Sequence, residues 1–282
     1  MAYQRREDAT RDLNTPRYTR RLDVKNTFDM DKAQLMQRSI EQMDVTLDEG
    51  NYTLEQKLAL TCRILFDNGH DSGLAGQITA RAQTPHTYYT QRLGLAFDEA
   101  KADNLLLVDE DLNVLRGTGM ANPANRFHSW VYRARPDVQC IIHTHAVHTA
   151  ALSMLEVPLE VSHMDNCVLY DDVAFARNWP GVPVGNEEGE FITQALGDKH
   201  ALLLAHHGVL IAARSLEEAC VLALAFERTA RMQLLAMSAG QIRPIDPALG
   251  REAREWTTRP KRSSAAFAYY ARRTLRQHAD CL

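Results

Sequence analysis

Long apolar runs are missing from this sequence. No stretch approaches the ~18 apolar residues of a membrane-spanning helix, and the polar first residues hold no apolar core of a leader peptide. Positive charge is not in excess. The 32 Lys and Arg residues stand against 36 Asp and Glu, giving a net charge of -4. With a pI near 6.3 there is no electrostatic pull toward nucleic acid or an anionic membrane, and neither is expected as a partner. Cysteine is sparse and unpatterned: Cys62, Cys140, Cys167, Cys220 and Cys281 include no CxxC pair. An odd, scattered set reads as reduced, mostly buried thiols rather than a disulfide framework. Internal repeats and low-complexity tracts are absent as well. The expectation is a cytoplasmic globular protein whose 282 residues can bury a sizeable core in one large domain or two.

What is present centres on residues 138–155, VQCIIHTHAVHTAALSML. The run 138–142 is short, apolar and β-branched, the pattern of a buried strand. His143 and His145 stand at its end, two residues apart, and alternate strand side chains share a face. Two convergent neutral imidazoles are the start of a metal site. A second apolar run, 201–208 (ALLLAHHG), ends in His206 and His207. Adjacent strand residues face opposite ways, so at most one of that pair can join the first two. Three imidazoles would leave at least one coordination position open, as catalytic rather than structural metal sites do.

Taken in order, residues 1–29 are polar and without period, and read as a flexible arm. A short amphipathic helix is predicted over 31–43. Thr53 with Gln56 makes a capping box for a helix that Gly69 stops. Gln77 to Arg81 reads as the first sheet strand, and 105–108 with 114–115 as a hairpin across an acidic turn. Asp109, Glu110 and Asp111 in that turn lack the spacing and glycine of a calcium loop. Residues 126–135 have helical spacing and stop before Pro136; a further helix is predicted over 146–155. His148 lies three residues beyond His145, and packing in the first helical turn is the expectation rather than a fourth ligand. No period emerges over 164–177, 179–186 is a loop by composition, and 187–196 is helical. Ser215 with Glu218 makes a second capping box, opening a long helix to about residue 235. Residues 253–278 read as one amphipathic helix within a basic extension, 246–282.

The strand ending in His143–His145 and the later run LLLAHHGVLIAARSLEEA resemble the class II aldolase/adducin family, most closely its bacterial fuculose-phosphate aldolases. GLAGQITAR (73–81) and RFHSWVYRARPDV (126–138) extend the likeness, which covers roughly residues 54–235. Alternating strands and helices already point to a single α/β domain. The resemblance adds a central mixed, largely antiparallel sheet covered by helices over 30–245, and a homotetramer with active sites at subunit interfaces. It also implies one divalent metal ion per subunit, on His143, His145 and His207, leaving His206 outside.

The departures matter as much. Where the sugar-phosphate aldolases carry Ser-Ser-Glu before the RFH segment, this chain has Asn122, Pro123 and Ala124, and Met164 replaces the tyrosine that follows a histidine. The phosphate anchors and the acid/base groups of aldol cleavage are therefore missing. The resemblance then implies three alternatives. The first is a metal-dependent lyase acting on a small carboxylated, aromatic substrate by decarboxylation or C–C cleavage. The second is a non-heme Fe(II) oxygenase of the kind the family includes in aminocoumarin biosynthesis. The third is a non-catalytic adducin-like scaffold, against which an intact His triad speaks. Zn or Fe(II) leads as metal, with Mn, Co and Ni open to the same donors. Substrate-binding candidates are Gln77, Thr79, Asn122, Arg126 and His128, with Arg126 a bidentate carboxylate clamp and Arg81 beside them. His163, Asp165 and Tyr170 are candidates by position for acid/base work.

Overall fold

The structure, a computed structural model, describes residues 27–282; residues 1–26, most of the expected arm, lie outside them. The chain divides into two units after Val45. In the first, a 3-10 turn at Thr27–Asp29 precedes the expected amphipathic helix, α1 (Lys32–Thr46).

The second unit begins with the predicted capping box. Thr53 accepts from the Gln56 amide, and the Gln56 side chain accepts from that of Thr53, which satisfies two of the open donors of α2 (Leu54–Asp67). Past Asn68, Gly69 takes a φ of +89° and turns the chain out. Strands β1 (Gln77–Arg81), β2 (Thr87–Thr90), β3 (Leu106–Asp109) and β4 (Val114–Arg116) follow as an antiparallel meander. The acidic turn is a turn: Asp109 accepts from the amides of Asp111 and Asn113. Helix α3 (Arg126–Ala134) leads into β5 (Cys140–Thr144), then α4 (Val147–Ser153), a 3-10 turn at Met164–Leu169 and β6 (Val173–Ala176). Helix α5 (Asn186–Leu196), β7 (Ala201–Leu204), β8 (Val209–Ala213) and α6 (Leu216–Ala239) complete the region carrying the motifs.

The eight strands form one sheet in the order β4-β3-β2-β1-β5-β8-β7-β6. Every neighbouring pair is antiparallel except β6 with β7, whose parallel crossover runs through α5. The sheet is mixed and largely antiparallel, as expected. Period-two alternation sorts its side chains. Ile141, Leu202 and Leu210 pack with Phe127 and Val131 of α3 on one face; Ile142, Leu203 and Ile211 pack with α2 and α6 on the other. Fully burying one such side chain contributes about 1.5–3 kcal/mol, so a one-residue slip of β5 would exchange two cores at once.

Three sequence expectations need correcting. The single helix over 253–278 is two, α7 (Pro247–Thr257) and α8 (Pro260–Leu275). Pro260 pushes Arg259 into extended backbone (ψ 130°) and cannot donate, so the first helix ends and a second starts. Strand β6 carried no pattern because it is short and half-buried, directly after a 3-10 turn. The Ser215 capping box is half made: Ser215 caps the Glu218 amide, but the Glu218 carboxylate turns back to the Arg214 amide and guanidinium. Helix α8 packs on α2 and α6 through Leu60, Ile64, Cys220 and Phe267. All five cysteines are free and buried. Among the described residues no helix is long and apolar enough to cross a membrane.

Candidate metal centre

Strand β5 delivers the first two histidines. His143 sits in the ladder opposite Leu210 of β8 and Gln77 of β1. Thr144 points to the other face, its hydroxyl 2.8 Å from His70 Nδ1, and His145 returns to the face of His143. The two Nε2 atoms lie 2.9 Å apart. His143 Nδ1 donates to the Val209 carbonyl at 2.9 Å, which fixes the tautomer and leaves Nε2 as a lone pair. A lone pair that close to a second ring nitrogen needs a proton or a cation between them.

The third histidine arrives by a different device from the one expected. Strand β7 stops at Leu204, and His206 and His207 lie on the turn to β8 rather than on a strand. The Leu204 amide donates to Gly208 and the His207 amide donates to Leu204. His206 takes a φ of +56° and directs its ring outward to Glu156, 2.9 Å away. A Cβ on Gly208 would stand 2.4 Å from the Thr144 carbonyl oxygen and 2.7 Å from the His145 ring. Only glycine lets this turn press onto the end of β5, and that pressure seats His207. Its ring centroid is 4.7 Å from that of His143 and 4.5 Å from that of His145.

The donor set fits a divalent metal ion. One nitrogen from each ring lies within 4.8 Å of the others. Burial holds all three rings neutral: it lowers His145, lowers His143 far, with His207 and His145 repelling a further charge, and pushes His207 down to about 3. Neutral imidazoles are the ligand form. His207 Nδ1 is buried without a partner. Among the described residues no carboxylate joins the group. Phe127 meets His143 edge-on at 5.4 Å, and Trp179 lies 4.1 Å from His207 between ring centroids. Trp179 was read only as part of a loop; no periodicity could have found it.

The other candidates are sorted differently. Thr79, His128 and Tyr132 make one buried chain, the Thr79 hydroxyl 2.7 Å from His128 Nδ1 and 2.9 Å from the Tyr132 hydroxyl. His128 Nε2 and Gln77 Oε1 are buried and unpartnered. Asn122 caps the turn under α3 by accepting from the Ala124 amide. Arg126 meets Asp111 at 3.2 Å. Arg81 holds the carbonyls of Tyr132 and Val138 and lies over the Tyr132 ring, a support for the end of α3. His148 stays outside the triad and bonds Glu227 at 2.6 Å. The same carboxylate accepts from both Thr149 donors and the His148 amide, capping α4. His163 caps the 3-10 turn at Met164–Leu169, Asp165 pairs with Arg228, and Tyr170 packs on Gly250. Among the described residues these three are not brought to the triad.

Two buried rings make stability pH-dependent. Burial pushes His70 down to about 4 and His128 to about 3. Below pH ~6.5 the unfolded chain binds protons that the folded chain refuses, so this stability is complete above that pH and is lost as pH falls toward 4 and 3. Each ring contributes up to ~1.4 kcal/mol per pH unit. The expected result is a melting temperature roughly 5–10 °C lower at pH 5.5 than at 7.5. An unchanged midpoint would contradict neutral burial of the two rings.

Known proteins resemble this chain in sequence and fold. A family model described as Class II Aldolase and Adducin N-terminal domain matches residues 56–234. The meiotically up-regulated gene 14 protein of Schizosaccharomyces pombe is 28% identical over 72% of this chain and 81% of its own. The 4-hydroxy-3-prenylphenylpyruvate oxygenase/4-hydroxy-3-prenylbenzoate synthase of Streptomyces roseochromogenus subsp. oscitans is 31% identical over 67% of this chain and 68% of its own. Decarboxylase NovR of Streptomyces niveus is 30% identical over 67% and 70%. Among solved structures, L-fuculose 1-phosphate aldolase from Glaciozyma antarctica PI12 superposes with a TM-score of 0.74 at 28% identity, covering 81% of this chain and 90% of that one.

Proposed function

The chain belongs to the class II aldolase and adducin family, and from that premise we propose a metal-dependent lyase that breaks a carbon–carbon bond, by decarboxylation or related cleavage, in a small carboxylated, aromatic substrate. One observation carries the reading: His143, His145 and His207 converge as neutral donors while, among the described residues, no carboxylate stands with them. Bound there, a divalent ion, Zn or Fe(II) before Mn, Co or Ni, supplies Lewis-acid stabilisation of charge developing on a substrate oxygen. The chain's own residues do the rest. His143 is held in one tautomer by Val209. Phe127 and Trp179 wall the imidazoles with aromatic surface, which excludes water and suits an aromatic substrate. Loss of carbon dioxide needs no base to start it, so the missing Glu at position 124 is no obstacle.

A second reading, a non-heme Fe(II) oxygenase, is favoured by the oxygenase among the Streptomyces relatives; the decarboxylase relative supports the first. We extend the proposal to a cytoplasmic homotetramer with sites at its subunit interfaces, small-molecule substrates, and no nucleic-acid or membrane partner. The deciding experiment is metal analysis of anaerobically purified protein, followed by oxygen-electrode and carbon dioxide assays with aromatic 2-oxo and 2-hydroxy acids. Carbon dioxide release without oxygen uptake is the expected result. Uptake coupled to turnover would replace the lyase with the oxygenase, and absence of both metal and turnover would leave an adducin-like scaffold.

A further inference from the structure

Arg92 is placed with unusual care and given nothing to hold. It follows β2, whose Thr90 pairs with Thr79 of β1, and Gln77 of β1 pairs with His143 of β5. Past Thr90 the two chains part and the Gln91 side chain reaches across to Gly76 and Ile78, which sets Arg92 beside the start of β1. Gln77 and His143, paired across β1 and β5, share a sheet face.

The chain on both sides of Arg92 is pinned. The Gln91 amide group donates to the Gly76 carbonyl and accepts from the Ile78 amide, at 2.7 and 3.0 Å. Arg92 itself bridges to Ala121, and the Leu93 amide donates to the Met120 carbonyl. Gly119, at a φ of +123°, lies under the arginine stem: a Cβ there would come within 2.4 Å of Arg92 Cδ. The half-buried side chain lines a narrow cleft with Gly76 and Asn122, walled by Leu74 and Leu95. Among the described residues its guanidinium meets no carboxylate and no carbonyl. Arg126, by contrast, is paired with Asp111, and Arg81 with carbonyls of its own sheet face.

Gln77, next to Gly76 in the chain and opposite His143, is an independent sign of a ligand. It is 3% exposed, its Nε2 donates to the Ala75 carbonyl, and its Oε1 is buried without a donor. An unmet buried acceptor is costly and is satisfied by whatever lies between Arg92 and the imidazoles.

We propose that Arg92 is the carboxylate clamp of this site. The substrate sets a carboxylate on Arg92, offers a hydroxyl or N–H to Gln77 Oε1, and extends its reacting end to His143, His145 and His207. This deepens the proposed function and rests on it: the substrate carries an anionic group beyond Gln77, distinct from any group held at the imidazoles.

The test is calorimetric binding of 4-hydroxyphenylacetate and of its uncharged counterpart, 4-hydroxyphenylacetamide, to the intact protein. Wild type should bind the acid ~10–100-fold more tightly than the amide, the range of a charge-assisted bidentate hydrogen bond. Arg92→Gln should bring that ratio close to one, Arg92→Lys should keep part of it, and Arg126→Gln should leave it unchanged, all at wild-type melting temperature. Preference that survives Arg92→Gln, or an acid that does not bind wild type, overturns the inference. His207→Ala separates the two readings. Preference lost there and kept in Arg92→Gln puts the carboxylate on the metal, against this inference. Preference kept there and lost in Arg92→Gln, in a wild-type protein that binds no metal, upholds the clamp and removes the proposed function.

Discussion

His207→Ala abolishes stoichiometric binding of a divalent ion, whereas His206→Ala retains most of it: that is the expected outcome of metal analysis after dialysis of the two variants. The neighbours differ in one backbone angle. His206, at a φ of +56°, turns its ring to Glu156, and the next residue is pressed inward by Gly208 against Thr144 and His145. Losing a group that only supports a ligand costs metal sites typically 10–100-fold; losing one of three ligands costs more, because the remaining two imidazoles cannot close the donor set. His206 has its own partner at the surface, so truncating it leaves the triad's geometry in place. The reverse pattern would mean that the turn delivers the other ring, and the assignment of the third ligand would fall with it.

The second large effect is a missing activity. Zinc-loaded protein should not cleave fuculose, rhamnulose or ribulose phosphates, even though the fold superposes on a fuculose-phosphate aldolase at a TM-score of 0.74. A positioned acid/base group is worth typically ~10²–10⁴-fold, and this chain has Ala124 and Met164 where the resemblance places two of them. Ala124 packs against the apolar core beneath α3, and Asn122 is engaged in capping the same turn. Remote binding energy cannot compensate, because hydroxyls to hold a phosphate are absent from that turn. Ala124→Glu alone should not rescue cleavage. Robust cleavage by the unmodified protein would sink the reading and require a carboxylate from elsewhere. Among the described residues Asp165 stands apart from the triad, paired with Arg228 beside the 3-10 turn at Met164–Leu169.

Local signals were legible where they act through neighbouring residues. Thr53 and Gln56 cap each other three positions apart, so the start of α2 could be read without knowing what it packs on. The apolar stretch before His143 announced a buried strand, and spacing two residues apart put His143 and His145 on one face. The resemblance then supplied the sheet's character and the third candidate ligand. Pro260 marks the break between α7 and α8 in the sequence too, against an amphipathic pattern that runs through it.

Other features depended on partners distant in the chain. His207 is selected over His206 by a turn whose conformation is set by contact with a strand about sixty residues earlier, through Gly208 on Thr144. Trp179 reaches His207 from a loop with no period of its own. Arg126 has the position of a clamp but lies within reach of Asp111, while Arg92, in an unremarkable stretch, is set beside the start of β1 by the Gln91 side chain and by the absence of a side chain at Gly119. The sequence by itself determined which segments become helix or strand and which residue types could carry metal chemistry, because those preferences are local. Which histidine, which arginine and which aromatic ring meet in one space was settled only by packing, because sheet register and turn geometry join residues that sequence spacing keeps apart.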